Sequence, residues 1–253
     1  MHHSIKIALL FLLGLLMGSC SKDCQECKKT LKEDPIVYFT ILPKWQEENF
    51  QIDSTYLNHS NEKIAITKIK ANLTIKPIKS NDSLVHCDQQ YYLVDLDDPS
   101  SFQNIPVNWK SGQYKGFQIA IGLDTAVNHV DPAQYSSEHP LSIFKNDHWD
   151  WSGGYRFLTL EGFNNQGDDS SNLSNPMLFH VGLDTLYSPK KIDLNLNINK
   201  EDRYNLFLNW NIDEFFTAVD SIDLQGSQVT HTLNNFDLAQ KIITNAAASF
   251  HIP

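Results

Sequence analysis

The segment HPLSIFKNDHWDWSGGYRFLTLEG, residues 139–162, gathers the side chains best equipped for chemistry. His139 and His148 supply imidazole nitrogens, donors that suit borderline and soft metal ions. Asp147 or Asp150 can add an oxygen ligand or orient a ring through its second nitrogen. His180, in LFHVG, lies on a strand-like segment that can bring a third imidazole toward this loop. Trp149 and Trp151 alternate along an extended backbone, so they face opposite sides unless the chain bends. A plainer account exists for each histidine: His139 ends a loop before Pro140, His148 faces solvent, and His180 hydrogen-bonds an edge of a sheet. By composition alone, structural and surface roles outweigh a preformed metal site.

Other reactive types are more scattered. His86 beside Cys87 is a soft-metal pair or, more plainly, a loop histidine and a structural cysteine; His59, His129, His231 and His251 are less constrained still. Asp95, Asp97 and Asp98 have the spacing for calcium ligation or paired acid–base work, with a hydrated turn as the simpler reading. Asp124 and Asp184 close the similar strings IGLD and VGLD, which reads as two equivalent structural turns. Cys24 and Cys27 form CQEC in a polar stretch without the strand and helix of a thioredoxin-like site, so tethering or disulfide formation is favoured over redox catalysis. There is no GxSxG, HExxH, Walker A, dinucleotide fingerprint or EF-hand loop, and no complete nucleophile, base and oxyanion set. The sequence therefore reads as a non-enzyme.

The elements that must position these residues are strands. IVYFTIL from Ile36, Lys63 to Ile78, YYLVDL at 91–96, GFQIAIGLD at 116–124, GYRFLTLEG at 154–162 and MLFHVGL at 177–183 are strand-like. KIDLNLNIN and YNLFLNWNI, residues 191–199 and 204–212, alternate apolar and polar residues, the pattern of a strand with one wet face. The expected fold is all-β, an antiparallel β-sandwich compatible with a Greek-key, immunoglobulin-like topology, with long loops at 125–153 and 163–176. Two helical segments are expected, around Asp213–Val219 and Asp237–Phe250; the second puts Leu238, Ile242, Ala246 and Phe250 on one face after Asn235 or Asp237, and would cap one end of the sandwich.

The chain has 253 residues, 30 acidic against 20 basic, and a formal charge of −10. With no sustained basic block, it would repel nucleic acid and anionic membrane surfaces. Its first residues, MHHSIKIALLFLLGLLMGSC, read as a signal peptide ending in a bacterial lipobox, with Cys20 as the lipidated residue. The expected organisation is a lipoprotein signal peptide at 1–19, a lipidated polar tether at 20–34 and a single β-sandwich domain at 35–253. Such a protein would be lipid-anchored in the bacterial cell envelope, at the outer membrane facing the periplasm or the cell surface.

YYLVDLDDPSSF (91–102), YKGFQIAIGLDTAVN (114–128), HPLSIFKNDHWDWSGGYRFLTLEG, LFHVG (178–182) and the ending FDLAQKIITNAAASF (236–250) together resemble the MbnP-like family of methanobactin-associated copper-binding proteins. The run W-x-W-x-G-G-Y followed by a strand ending in L-E-G is the most specific of these signals. The resemblance implies a β-sandwich-like extracytoplasmic protein that binds a metal ion, copper above all, for sequestration, uptake or delivery. In some relatives histidines act with a tryptophan oxidised to kynurenine, in conjunction with a dihaem peroxidase-like partner; Trp149 and Trp151 match the aromatic part of that motif. His139, His148 and His180 are ligand candidates read from this sequence, with His86 as an outsider. The competing reading is a non-metallic surface module whose aromatic loops contact a protein or a glycan.

Overall fold

The computed structural model describes residues 33–149, 154–165, 173–224 and 228–253. Cys20, Cys24, Cys27, Asp150 and Trp151 lie outside the described residues. Glu33 to Pro253 cohere as one unit.

In chain order the strands are β1 (Ile36–Trp45), β2 (Glu48–Asn49), β3 (Thr55–Leu57), β4 (Lys63–Lys79), β5 (Tyr91–Asp95), β6 (Ile105–Val107) and β7 (Gly112–Ile121). A helical turn, α1 (Thr125–Asn128), precedes β8 (His148–Trp149), β9 (Gly154–Tyr155), β10 (Leu158–Asn164) and β11 (Asn175–Val181). Then come β12 (Ser188–Ile198), β13 (Arg203–Asn211), β14 (Gln228–Thr230), the helix α2 (Phe236–Ala248) and β15 (Phe250–His251).

One sheet has the order β15-β13-β1-β2, with β6 also on β1; a larger one runs β12-β7-β4-β10-β11-β14, with β3 and β5 also pairing β4; β8 and β9 form a small ribbon. Most ladders are antiparallel, so the all-β expectation holds, but two are not. β1 pairs β13 in parallel, Ile36 opposite Arg203, and β11 pairs β14 in parallel. Period-two burial specifies which side chains face inward and carries no information about strand direction.

Inward residues of both sheets share one apolar cluster, and Phe39 of β1 meets Phe117 of β7 edge-on at 4.9 Å. Trp109 lies against both rings. α2 forms over the expected stretch, with Asn235 accepting the Leu238 N–H at its start. It buries Leu238, Ile242 and Ala246, packs on β7, β11 and β12, and its Ala246 carbonyl accepts the Trp210 indole N–H at 3.0 Å. Lys190 of β12 donates to the carbonyls of Ala248 and Phe250, both at 2.5 Å, which satisfies acceptors that the end of a helix leaves open. The expected helix at 213–219 is instead a 3-10 turn at Ile212–Phe216.

β4 departs from the half-wet pattern, because Ala71 to Ile78 are buried on both faces. Its outward polar residues are covered and satisfied: Asn72 donates to the Arg156 carbonyl, Thr74 to the Gly122 carbonyl, and Lys76 pairs with Asp124 at 2.8 Å. The cover is the described part of the connection from β7 to β10, residues 122–149 and 154–157, expected as an irregular loop over 125–153 and found to lie against β4 through these contacts.

Candidate metal site

That layer is fastened at several points. Asn128 donates to Asp184 at 2.7 Å and accepts the Tyr155 N–H at 2.8 Å, while the Tyr155 hydroxyl donates to the Leu141 carbonyl at 2.7 Å. Asp147 is 3% exposed and lies 3.1 Å from Lys70 and 3.7 Å from Arg156. Burial pushes its carboxyl up, and the two cations oppose that shift. Lys70 also donates to the Lys145 carbonyl, and Arg156 to that of Asn146. These contacts tie the residues just before β8, which carries His148, to Lys70 of β4 and to Arg156 between β9 and β10.

The three histidines singled out from sequence sit in this region on different partners. His148 pairs with Tyr155 across the β8–β9 ribbon, its ring edge-on to the phenol at 4.9 Å. His139 stacks on Tyr135 at 4.1 Å, and its Nδ1 accepts the Leu141 N–H at 3.1 Å. Burial holds this imidazole below its usual value. His180 stands on β11 opposite Thr159 of β10, which is in turn opposite Lys70 of β4. Its Nε2 is 2.8 Å from Glu161. Burial lowers the His180 value and outweighs the opposing pull of that carboxylate. Glu161 sits where the β10–β4 register shifts before Gly162, a bulge that re-aims a side chain. Trp149 is buried.

A residue that spacing did not single out completes the picture. His231, just after β14, lies edge-on to His180 with ring centroids 4.9 Å apart. The only sequence cue is the turn-forming pair Asn234 and Asn235 that follows it.

Gly182 ties this strand to the ribbon, since a Cβ there would stand 2.2 Å from the Tyr155 carbonyl oxygen. Among the described residues, no group of three or more His, Cys, Asp or Glu side chains is arranged to hold a metal ion.

The remaining candidates resolve into ordinary roles. Asp98 caps a 3-10 turn through Ser100, and Asp95 accepts the Asp97 N–H, so that cluster is a turn. Asp124 and Asp184 follow β7 and β11 at the start of short helical turns, and they are held differently: Asp124 binds Lys76 and the Tyr91 hydroxyl, whereas Asp184 holds Asn128 and lies 3.0 Å from His129. Among the described residues Cys87 has no disulfide partner; it is half-buried and lines a cavity of about 580 Å³ with His86, Lys110 and Tyr114, and burial raises its value.

Comparison with known proteins agrees with this architecture. No curated protein matches the chain. Among solved structures, MbnP from Methylosinus trichosporium is similar, with a TM-score of 0.53 and 14% identity over 87% of this chain and 98% of that one. At that identity the likeness concerns the fold. The MbnP family model matches residues 35–235, which include β1 to β14 and every histidine of the candidate site. The chain belongs to the MbnP family.

Proposed function

We propose that this protein is an extracytoplasmic lipoprotein that binds a metal ion, copper in the first instance, for sequestration, uptake or delivery. Family membership carries the reading and favours a binding protein over an enzyme. The two sheets pack as a sandwich, a reading supported by the shared apolar cluster and the Phe39–Phe117 contact. The sandwich is the rigid support, and the layer from β7 to β10 is the binding face. His139, His148 and His180 are the candidate ligands, with Trp149 and Trp151 as the aromatic residues near them in sequence. Neutral imidazoles suit copper in either oxidation state, and the lowered values of His139 and His180 keep those rings unprotonated at neutral pH. Indole is a poor donor, so a tryptophan enters the ligand set only after oxidation to kynurenine by a dihaem peroxidase-like partner. No described helix is long and apolar enough to cross a membrane, and attachment through lipid on Cys20 needs none.

Titration of the purified mature protein with Cu(I) and with Cu(II) tests the proposal. Stoichiometric, high-affinity uptake of one of them is expected; uptake of neither removes the copper reading. Peptide mapping of protein from its native host tests the oxidation separately, and unmodified Trp149 and Trp151 would dispose of it.

A second reading is favoured by Ile143 and Phe144, which stand 53% and 77% exposed on this same layer. Adjacent exposed apolar side chains suit contact with a protein or glycan. Partner capture by metal-free protein, together with no metal uptake, would favour that reading instead.

A further inference from the structure

β5 is a strand with one side unused. It pairs β4 alone, Lys70 standing opposite Asp95 and Thr74 opposite Tyr91. At the two ends of that ladder the Gln90 carbonyl accepts the Ile75 N–H, and the Leu96 N–H donates to the Ile69 carbonyl. Hydrogen-bonding direction alternates along an antiparallel strand, so residues 90, 92, 94 and 96 turn their backbone to β4, and residues 91, 93 and 95 turn theirs away. Asp95 is provided for: its N–H donates to the Ser101 hydroxyl oxygen and its carbonyl accepts that hydroxyl, both at 2.8 Å. Among the described residues, nothing hydrogen-bonds the backbone N–H or C=O of Tyr91 or Leu93.

A groove runs beside this open side. Two cavities, of about 360 and about 420 Å³, share Glu138 and Pro140 in their walls; the first is lined on the strand side by residues 88–91 and the second by Leu93 and Asp95. The opposite wall belongs to the segment between α1 and β8, where Phe144 lines the second cavity and is 77% exposed. The mouth is acidic. Asp88, Asp98 and Glu138 are exposed and Asp95 is half-buried, against Lys145 and a Lys70 already engaged by Asp147 at 3.1 Å. An end strand of the same sheet is protected differently: β12 carries Pro189 and Lys191, residue types that discourage further strand pairing, and β5 has neither type.

We propose that the open side of β5 receives an extended segment of a partner polypeptide as an added strand, the segment bearing basic residues around an apolar one. An extended polypeptide presents N–H and C=O groups at the spacing of those on Tyr91 and Leu93, and its alternate side chains fall on one face, here into the groove. The basic residues answer to Asp88, Asp98 and Glu138, and the apolar one to Leu93 and Phe144. A neutral glycan would leave those carboxylates without counter-charges. The proposal goes beyond the copper reading and does not depend on it; it narrows the protein-or-glycan contact to a polypeptide.

The probe is a short, fluorescein-labelled synthetic peptide of alternating lysine and valine, titrated with the purified mature protein and followed by anisotropy. Saturable binding at micromolar concentrations is expected, weakening as salt is added. Two N-methylated forms, each blocked at one alternate set of amides, keep the charge and the side chains. The form blocked on the side turned to β5 should bind at least about tenfold more weakly, and the other should bind like the parent. Leu93→Pro removes an outward N–H that the β4 ladder does not use and should weaken binding of the parent peptide by a similar factor. Phe207→Ser, at an exposed position of the smaller sheet, should bind as wild type does. No binding by wild type, or equal binding of all three peptides, would overturn the proposal and leave the copper titration untouched. If Leu93→Pro does not fold, the two N-methylated forms decide on wild type alone. Displacement of the peptide by a neutral oligosaccharide would assign the groove to a glycan, and a dimer abolished by Leu93→Pro in sedimentation would assign it to a second copy; either overturns the proposal.

Discussion

His139 accepts the Leu141 N–H through Nδ1 and is held below its usual value by burial, so its native contact requires the neutral ring. The unfolded chain takes up this proton more readily, with a value of about 6.5. The contribution of His139 is therefore intact at neutral pH and is lost as pH falls below the unfolded value. Between about pH 7.5 and about pH 5.5, His139→Gln should lose less stability than wild type, read as urea midpoints; equal losses would show that the ring contributes nothing. Gly182 makes a second prediction at this scale. A methyl group there meets the Tyr155 carbonyl oxygen at 2.2 Å, and backbone must shift. Gly182→Ala should cost about 1–3 kcal/mol in denaturant unfolding, because β11 and the β8–β9 ribbon would separate; an unchanged urea midpoint would show that the backbone absorbs the methyl group. His180 could be singled out from its sequence because it interrupts an apolar strand of one wet face. His231 could not, because its place beside His180 depends on a parallel pairing and a strained turn, and neither leaves a periodic mark.

Individual elements were legible where periodicity alone determines them. The alternation of β12 and β13 and the apolar stripe of α2 each specify a buried face, and the structure buries those faces. GYRFLTLEG reads as one strand from its apolar content, yet Arg156 and Phe157 break it into β9 and β10, since the Arg156 N–H turns to the Asp147 carbonyl and the Phe157 N–H to that of Val181. α2 also contains a polar residue that helical spacing cannot explain. Asn245 is fully buried; its Oδ1 accepts the N–H groups of Val219 and Asp220, and its Nδ2 donates to the carbonyls of Phe215 and Asp220. It splices the helix to the turn after β13. Asn245→Ala should cost about 2 kcal/mol or more, since each buried backbone group left without a partner costs about 1–3 kcal/mol. Thermal unfolding checks this, and an unchanged midpoint would mean that other groups take over all four bonds.

At the scale of the whole molecule, the proposed lipid anchor on Cys20 can be tested directly. Metabolic labelling with a tritiated fatty acid should mark wild type and not Cys20→Ala, and the variant should leave the membrane fraction; unlabelled wild type would remove the anchor. The ladder between β1 and β13 bears on the order in which the sheets can form. β1 is the first strand of the described residues, and its longest partner lies far along the sequence. Closing so long a loop must be met entropically before the pairing returns anything. Until residues 203–211 have emerged, Val37, Phe39 and Ile41 have no finished sheet to join. In the export proposed above, the smaller sheet would be completed only after its last strands had crossed, and its apolar face would need protection until then.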